Sequence, residues 1–303
     1  MVYIEKQERD GKKYYYVVKN IRLKNNKWKK VRIYMGTRKP LEEDIEKSIE
    51  MIENTNIKKT EYLEKKQVEN LDRIRRNYKK YLGKLTPNDF IRFEDATLTS
   101  FTYNTNTIEG STLDLQEVGL ILNKGITPAE KDLREIYGVT NMREAFNFIK
   151  TMRDVTEENI KKIHYIVMKN ILTEDLGQYR TIPVRIIGSR LKPPFPLDIQ
   201  KEMTMLIEWF NKDKNLHPFE LACILHIKFE KIHPFRDGNG RVGRLIMNSI
   251  LLKEKYPLLD IKADRKIRYY KTLEKAQLQR KYKDFINYAL ETYIEDAKTM
   301  KWI

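Results

Sequence analysis

The chain has 303 residues, 41% hydrophobic and 34% charged, which provides for a globular core under a densely charged surface, as one large domain or two smaller ones. A single cysteine, Cys223, excludes an internal disulfide and fits a reducing cytoplasm; no run approaches the ~18 apolar residues of a membrane span, and MVYIEKQERDGKK is not a signal peptide. The net charge of +16 has two readings, an anionic partner or a lysine-rich composition of the hot-adapted kind, and the second is favoured because the excess is taken as spread along the chain.

Residues 1–36 are rich in β-branched and aromatic residues: Val2-Tyr3-Ile4, Tyr14 to Val18, and Val31 to Met35. Asp10-Gly11 and Asn25-Asn26 separate them, which predicts a small three-stranded antiparallel meander. Lysines and arginines interleave with the tyrosines, among them Lys12, Lys13, Lys24, Lys27 and Lys30. Single-strand nucleic-acid binders use such mixtures; a charged solvent face on a small sheet is the favoured reading. Residues 37–85 read as a charged helical linker, with Leu71, Ile74, Tyr78 and Leu82 as a narrow apolar stripe. A helix that forms a homodimer is the second reading.

The remaining residues, 86–303, read as one mostly α domain. Thr86-Pro87-Asn88-Asp89 opens its first helix, about 87–109, with an N-cap threonine, a first-turn proline and an acidic third position. The helix closes on Thr105-Asn106-Thr107-Ile108-Glu109-Gly110, which alone reads as a glycine stop after a solvated glutamate. Further helix starts stand at Thr112, at Thr127-Pro128-Ala129-Glu130 and at Thr156. His164 shares the last of these helices with Ile160, Ile163 and Ile166 and reads as a packed histidine. Gly177 to Pro196 breaks the pattern: Val184 to Gly188 is strand-like and a proline run ends it, which predicts a β hairpin. Asp198 to Lys212 is again helical.

Phe219 to Lys231 predicts a helix that Pro234 must end at His233. Asp237-Gly238-Asn239-Gly240 follows as a tight loop, and a second helix starts with Leu245, Ile246, Ile250 and Leu251 as its apolar face. Glycine loop followed by helix N-terminus is a place to hold an anion. Arg241 and Arg244 lie three apart on that first turn, where a cation opposes the helix dipole unless an anion compensates. Asp237 is a hard oxygen ligand suited to Mg²⁺. His233 at the rim is the commonest kind of general base. The residues therefore predict a polyphosphate and Mg²⁺ site with a histidine beside it; the loop does not fit a P-loop. The four histidines show no zinc-ligand spacing.

His233 to Arg244 resembles the signature of Fic proteins, HPFx(D/E)GNGRxxR, with every fixed position matched. The resemblance covers about residues 86–290. It implies a Fic fold with a β-hairpin flap, and transfer of AMP from Mg²⁺-ATP to a protein hydroxyl. By motif position it implies His233 as base and Asp237 as metal ligand. Gly238, Asn239 and Gly240 would wrap the phosphates, and Arg241 and Arg244 would bind the phosphate tail. Tyr269, Tyr270 and Gln277 fall where the family contacts adenine and ribose. Gly177 to Pro196 resembles the family's flap: Ile186, Ile187 and Gly188 would border the nucleotide and dock an extended segment of the target protein by strand addition. Thr105 to Gly110 resembles the inhibitory motif (S/T)xxxE(G/N), in which Glu109 would pair with Arg244 and displace the γ-phosphate. Self-modification is expected. Three other readings stand beside this one: removal of AMP with Glu109 as base, transfer of a different group, and a nucleotide-sensing regulator that binds nucleic acid through residues 1–36.

Overall fold

The computed structural model describes residues 2–22, 28–46, 48 and 58–303. They form two compact units, Met1–Lys59 and Thr60–Ile303.

The first unit is built on the predicted meander. Strands β1 (Val2–Arg9), β2 (Lys12–Arg22) and β3 (Trp28–Gly36) pair antiparallel in the order β1-β2-β3. Asp10 and Gly11 both take positive φ, 50° and 71°, as a two-residue hairpin turn of the right twist requires. The register slips at Tyr15/Tyr16, where β2 and β3 form a bulge. The expected turn at Asn25-Asn26 lies outside the described residues.

The second unit is helical. Helix α1 (Lys65–Leu82) belongs to it, and Leu71 and Ile74 of its predicted stripe are fully buried. The segment that leads into α1 is tied down by one carboxylate: buried Glu220 accepts the backbone N–H groups of Glu61, Tyr62 and Leu63. The linker reading of 37–85 therefore concerns the residues before Thr60, of which 47 and 49–57 lie outside the described set. Helix α2 (Pro87–Ile108) starts as predicted, with Thr86 Oγ1 accepting the Asp89 N–H. Helix α3 (Leu115–Lys124) starts later than Thr112. Glu135 engages the N–H and hydroxyl of Thr112, and Asp114 with Glu117 forms the capping box instead. Nor does Thr127-Pro128-Ala129-Glu130 open a helix. Glu130 takes a positive φ of 60°, and α4 (Leu133–Thr151) is capped by Asp132.

Helix α5 (Glu157–Met168) is capped by Thr156 as expected. Helices α6 (Ile199–Lys212), α7 (Pro218–Ile232) and α8 (Asn239–Lys253) follow. The last stretch is divided into α9 (Lys266–Gln279) and α10 (Tyr282–Thr299) by Arg280 at φ 57°. Helices α7 and α8 are the centre of the unit. Leu225, Ile227 and Phe229 on one, and Leu245, Met247 and Leu251 on the other, are at most 1% exposed. A helix apolar on all sides is a buried helix, so the loop between them is held from every direction.

The flap differs from the predicted hairpin. Residues 183–186 take no regular secondary structure, Ser189 N–H closes a turn on the Ile186 carbonyl, and Gly188 takes φ 78°, so no strand ladder forms there. Pro183, Pro193 and Pro194 lack the donors a ladder needs. A side chain bridges the two arms instead: Arg180 Nη1 donates to the Ile182 carbonyl and Nη2 to the Pro194 carbonyl. Among the described residues no helix is long and apolar enough to cross a membrane.

Candidate active site

His233 ends α7 in a left-handed backbone, φ 51°, its N–H on the Phe229 carbonyl. A residue with a β-carbon there costs roughly 1–2 kcal/mol, so its neighbours must hold it. Arg180 does so from the flap: its Nε donates to the His233 carbonyl and its backbone N–H to the Pro234 carbonyl, each at 2.9 Å. Glu230, one turn earlier on α7, sets Oε2 3.6 Å from His233 Nδ1. Burial pushes the Glu230 carboxyl up, but His233 and Arg244 pull it down further, below the usual carboxylate value.

The loop is built around inward-facing side chains. Phe235 is fully buried and stacks on His164, 3.8 Å between centroids and 3° between planes. His164 Nδ1 accepts the Gly177 N–H, so Nε2 carries the proton and donates to the Asp237 carbonyl at 3.2 Å. Asn239 clamps Phe235 at both ends, accepting its N–H and donating to its carbonyl. Its side chain therefore shapes the loop, and only its backbone is free to face a ligand. Gly238 sits at φ 77°, and a β-carbon on it would lie 2.6 Å from Met168 Sδ.

Glu109 closes the arrangement. A β-carbon on Gly240 would lie 2.2 Å from Glu109 Oε1, so the carboxylate rests over the first turn of α8, where N–H groups and the helix dipole favour an anion. The same oxygen lies 2.5 Å from Arg244 Nη2. Arg244 is 1% exposed; its Nε donates to Thr105 Oγ1 at 2.7 Å and its Nη2 also to the Thr105 carbonyl at 3.2 Å. Thr105 and Glu109 are four residues apart, so one face of the α2 terminus presents both. Burial works against the Arg244 charge, but Glu109 and Tyr269 outweigh it and the guanidinium is held more firmly protonated than usual. Beside this pair a cleft of ≈ 300 Å³ opens, with Asn106, Glu109, Arg134 and Arg241 among its walls. Arg241 lies 3.8 Å from Asp237 Oδ1, and its Nε is buried without a hydrogen-bond partner. An unpartnered guanidinium nitrogen at a cleft calls for an anionic ligand.

Residues 154–251 match the Fic/DOC family model, and the match contains the whole loop just described. The chain carries a Fic/DOC domain. It is 33% identical over 181 residues to the protein adenylyltransferase Fic of Nematostella vectensis, covering 57% of this chain and 42% of that protein. It is 29% identical over 214 residues to the protein adenylyltransferase fic-1 of Caenorhabditis elegans, covering 66% and 42%. The chain thus spans less than half the length of these curated relatives. Among solved structures, a Fic domain containing signaling protein from Bacteroides thetaiotaomicron superposes with a TM-score of 0.68 at 26% identity, over 75% of this chain and 94% of that one. A Fic family protein from Desulfovibrio desulfuricans gives 0.66 at 26% identity, over 79% and 76%.

Within the Fic domain and the helix before it, the structure brings together His233, Asp237, Gly238, Gly240, Arg241, Arg244 and Glu109. Tyr269 is 1% exposed and lies under Arg244, its hydroxyl 3.4 Å from Nη1 and 2.8 Å from His226 Nε2. Tyr270 is half-exposed, its hydroxyl on the Ile108 carbonyl, and Gln277 is buried on α9. Ile187 is fully exposed on the flap, whose Ser189 and Arg190 are fastened to Glu274 of α9. Arg180, Glu230, His226 and Glu274 support the site without having stood out in the sequence, whereas Thr105 opens the string that resembles the inhibitory motif. For Arg180 and Glu230 the signal was proximity to the flap and to His233; Glu274 gave none.

Burial pushes His164 and His226 down to about 4, so both are neutral at pH 7. The unfolded chain takes up these protons near pH 6.5. Their contribution is fully present above that pH and is lost as pH falls toward about 4. Denaturant unfolding at pH 8 and pH 5 is expected to show a loss of about 2 kcal/mol per histidine. An unchanged free energy would place a charged imidazole in the fold.

Proposed function

We propose that this protein is an adenylyltransferase that moves AMP from ATP to a side-chain hydroxyl of a protein, itself included, and that Glu109 restrains it. The observation that carries the reading is the stretch from His233 to Arg244, in which one loop and the start of α8 supply a base, a carboxylate, a helix N-terminus and two arginines. The names of the relatives support it.

The α8 N-terminus and Arg241 hold the phosphate chain, and Arg244 awaits its end. Glu230 orients His233 from the Nδ1 side, so that the other ring nitrogen takes the proton of the target hydroxyl. The hydroxyl oxygen bonds to the α-phosphorus, the bond from that phosphorus to the bridging oxygen breaks, and pyrophosphate leaves. Asp237 is the candidate to hold Mg²⁺. Among the described residues no cluster of three metal-type side chains exists, which fits a Mg²⁺ bound by one carboxylate together with substrate phosphates. When bound, the ion offsets charge on the departing pyrophosphate. Tyr270 at the rim and Ile186 to Gly188 on the flap are the candidate contacts for the nucleoside and for an extended target segment. ATP labelled in its α-phosphate tests the reading: label on protein is expected, with none transferred from the γ-phosphate. Transfer of the γ-phosphate alone would refute it.

Arg180 couples flap to loop. Lysine at this position keeps the charge but cannot span the carbonyls of Ile182, Pro194 and His233. Arg180→Lys is expected to lower kcat about tenfold to a hundredfold through misplacement of His233, with KM for ATP and the melting temperature little changed. Wild-type kcat in this variant would show that the three bonds position nothing.

A further inference from the structure

The basic excess is concentrated, not spread. Residues 1–39 hold 13 lysines and arginines against Glu5, Glu8 and Asp10, so +10 of the chain's +16 lies there. The expectation of an even distribution does not hold, and the concentration coincides with the sheet.

The sheet has two unlike faces. Ile4, Val17 and Ile33 are opposite one another in the register, and Val17 is fully buried. Met35, at the bulge, receives a hydrogen bond from the hydroxyl of buried Ser48. On the other face Glu5, Tyr16 and Tyr34 share one rung, with Tyr3, Arg32 and a Val18 that is itself fully buried on the next. An antiparallel sheet with one packed face ordinarily turns polar residues outward on the other. This one turns out tyrosines. The Tyr34 ring lies 5.4 Å from Tyr16 and 6.2 Å from Tyr14. Tyr34 is 53% exposed and Tyr3 39%.

The cations are laid along these rings. The Arg32 guanidinium sits 4.7 Å over Tyr16, and the Lys30 ammonium 5.9 Å over Tyr3. Glu5 is the one carboxylate on this face among the described residues, and it pairs with both cations. It fixes them beside the rings and leaves Arg9 and Lys12 in excess. Exposed π faces bordered by held cations suit a chain that alternates flat bases with phosphates. An acidic peptide offers charge but nothing to stack. A duplex hides its base faces.

We infer that the tyrosine face of the N-terminal sheet binds single-stranded nucleic acid, with bases stacked on the exposed rings of Tyr34 and Tyr3 and phosphates led along Lys30 and Arg32. The inference rests on residues of the first unit alone and does not depend on the proposed transfer reaction.

Fluorescence anisotropy of the full chain with a labelled oligothymidylate of about 16 nucleotides tests this. The expected result is binding that weakens steadily with salt and exceeds binding to a duplex of equal length at least tenfold. Tyr34→Ala is expected to weaken it about fivefold to a hundredfold, whereas Tyr34→Phe keeps it. Tyr34→Leu retains an apolar contact to Tyr14 and Tyr16 but has no stacking face, so its loss of binding separates stacking from folding. No binding at low salt would overturn the inference. So would equal affinity for strand and duplex, or wild-type affinity in both Tyr34→Ala and Tyr34→Leu; either would reduce the face to a polycation.

Discussion

Glu109→Gly raises AMP incorporation about tenfold to a hundredfold over the wild type at equal ATP. The basis is competition for Arg244. Glu109 Oε1 already lies 2.5 Å from Nη2 and rests over Gly240 at the mouth of α8. A terminal phosphate that approaches the same arginine must displace a tethered carboxylate. A charge-assisted hydrogen bond is worth roughly 1.5–3 kcal/mol, which converts to that range of rates. Arg244→Ala does not reproduce the gain, because it removes the phosphate contact along with the partner of Glu109. The asymmetry distinguishes inhibition from a stabilising ion pair: loss of either partner of a structural pair lowers stability, and neither raises the rate. Equal incorporation in wild type and Glu109→Gly would end the inhibitory reading.

His233→Ala, made in the Glu109→Gly background where activity is high enough to read, lowers the rate of transfer about 10²–10⁴-fold. Affinity for ATP stays near that of the parent, since the substitution leaves Gly238, Gly240, Arg241 and Arg244 unchanged. The backbone helps the variant: alanine loses the ring, while the Arg180 and Phe229 bonds to residue 233 are made by backbone atoms. Single-turnover kinetics reads the effect directly. A parental rate would remove His233 from the proton transfer.

The active loop was legible because its constraints are local. Pro234 stops α7, two glycines release the backbone, and α8 restarts within a few residues, so spacing alone reports the geometry. The meander was legible for the same reason, its strands marked by period and by Asp10-Gly11. The pairing of Glu109 with Arg244 was not readable from spacing, since 135 positions separate them; only the resemblance joined the two strings. Helix starts failed where a distant side chain intervened. Thr112 has a cap's chemistry, but Glu135 takes its N–H and hydroxyl, and Asp114 caps the helix. The flap has the composition of strands, but its prolines withhold donors and Arg180 replaces the ladder. Asn239 spends its side-chain amide on Phe235, which leaves its backbone to the part the resemblance gives it in wrapping phosphates. The hold of Glu135 on Thr112 and of Arg180 on the flap are tertiary hydrogen bonds that sequence pattern does not encode.

Intact mass of purified Glu109→Gly protein, before and after incubation with ATP and Mg²⁺, tests the central claim most directly. The account predicts a product heavier by one AMP moiety or more, absent when His233 is also replaced by alanine and weak in the wild type. An unchanged mass, or a gain of a phosphoryl group in place of AMP, would contradict it.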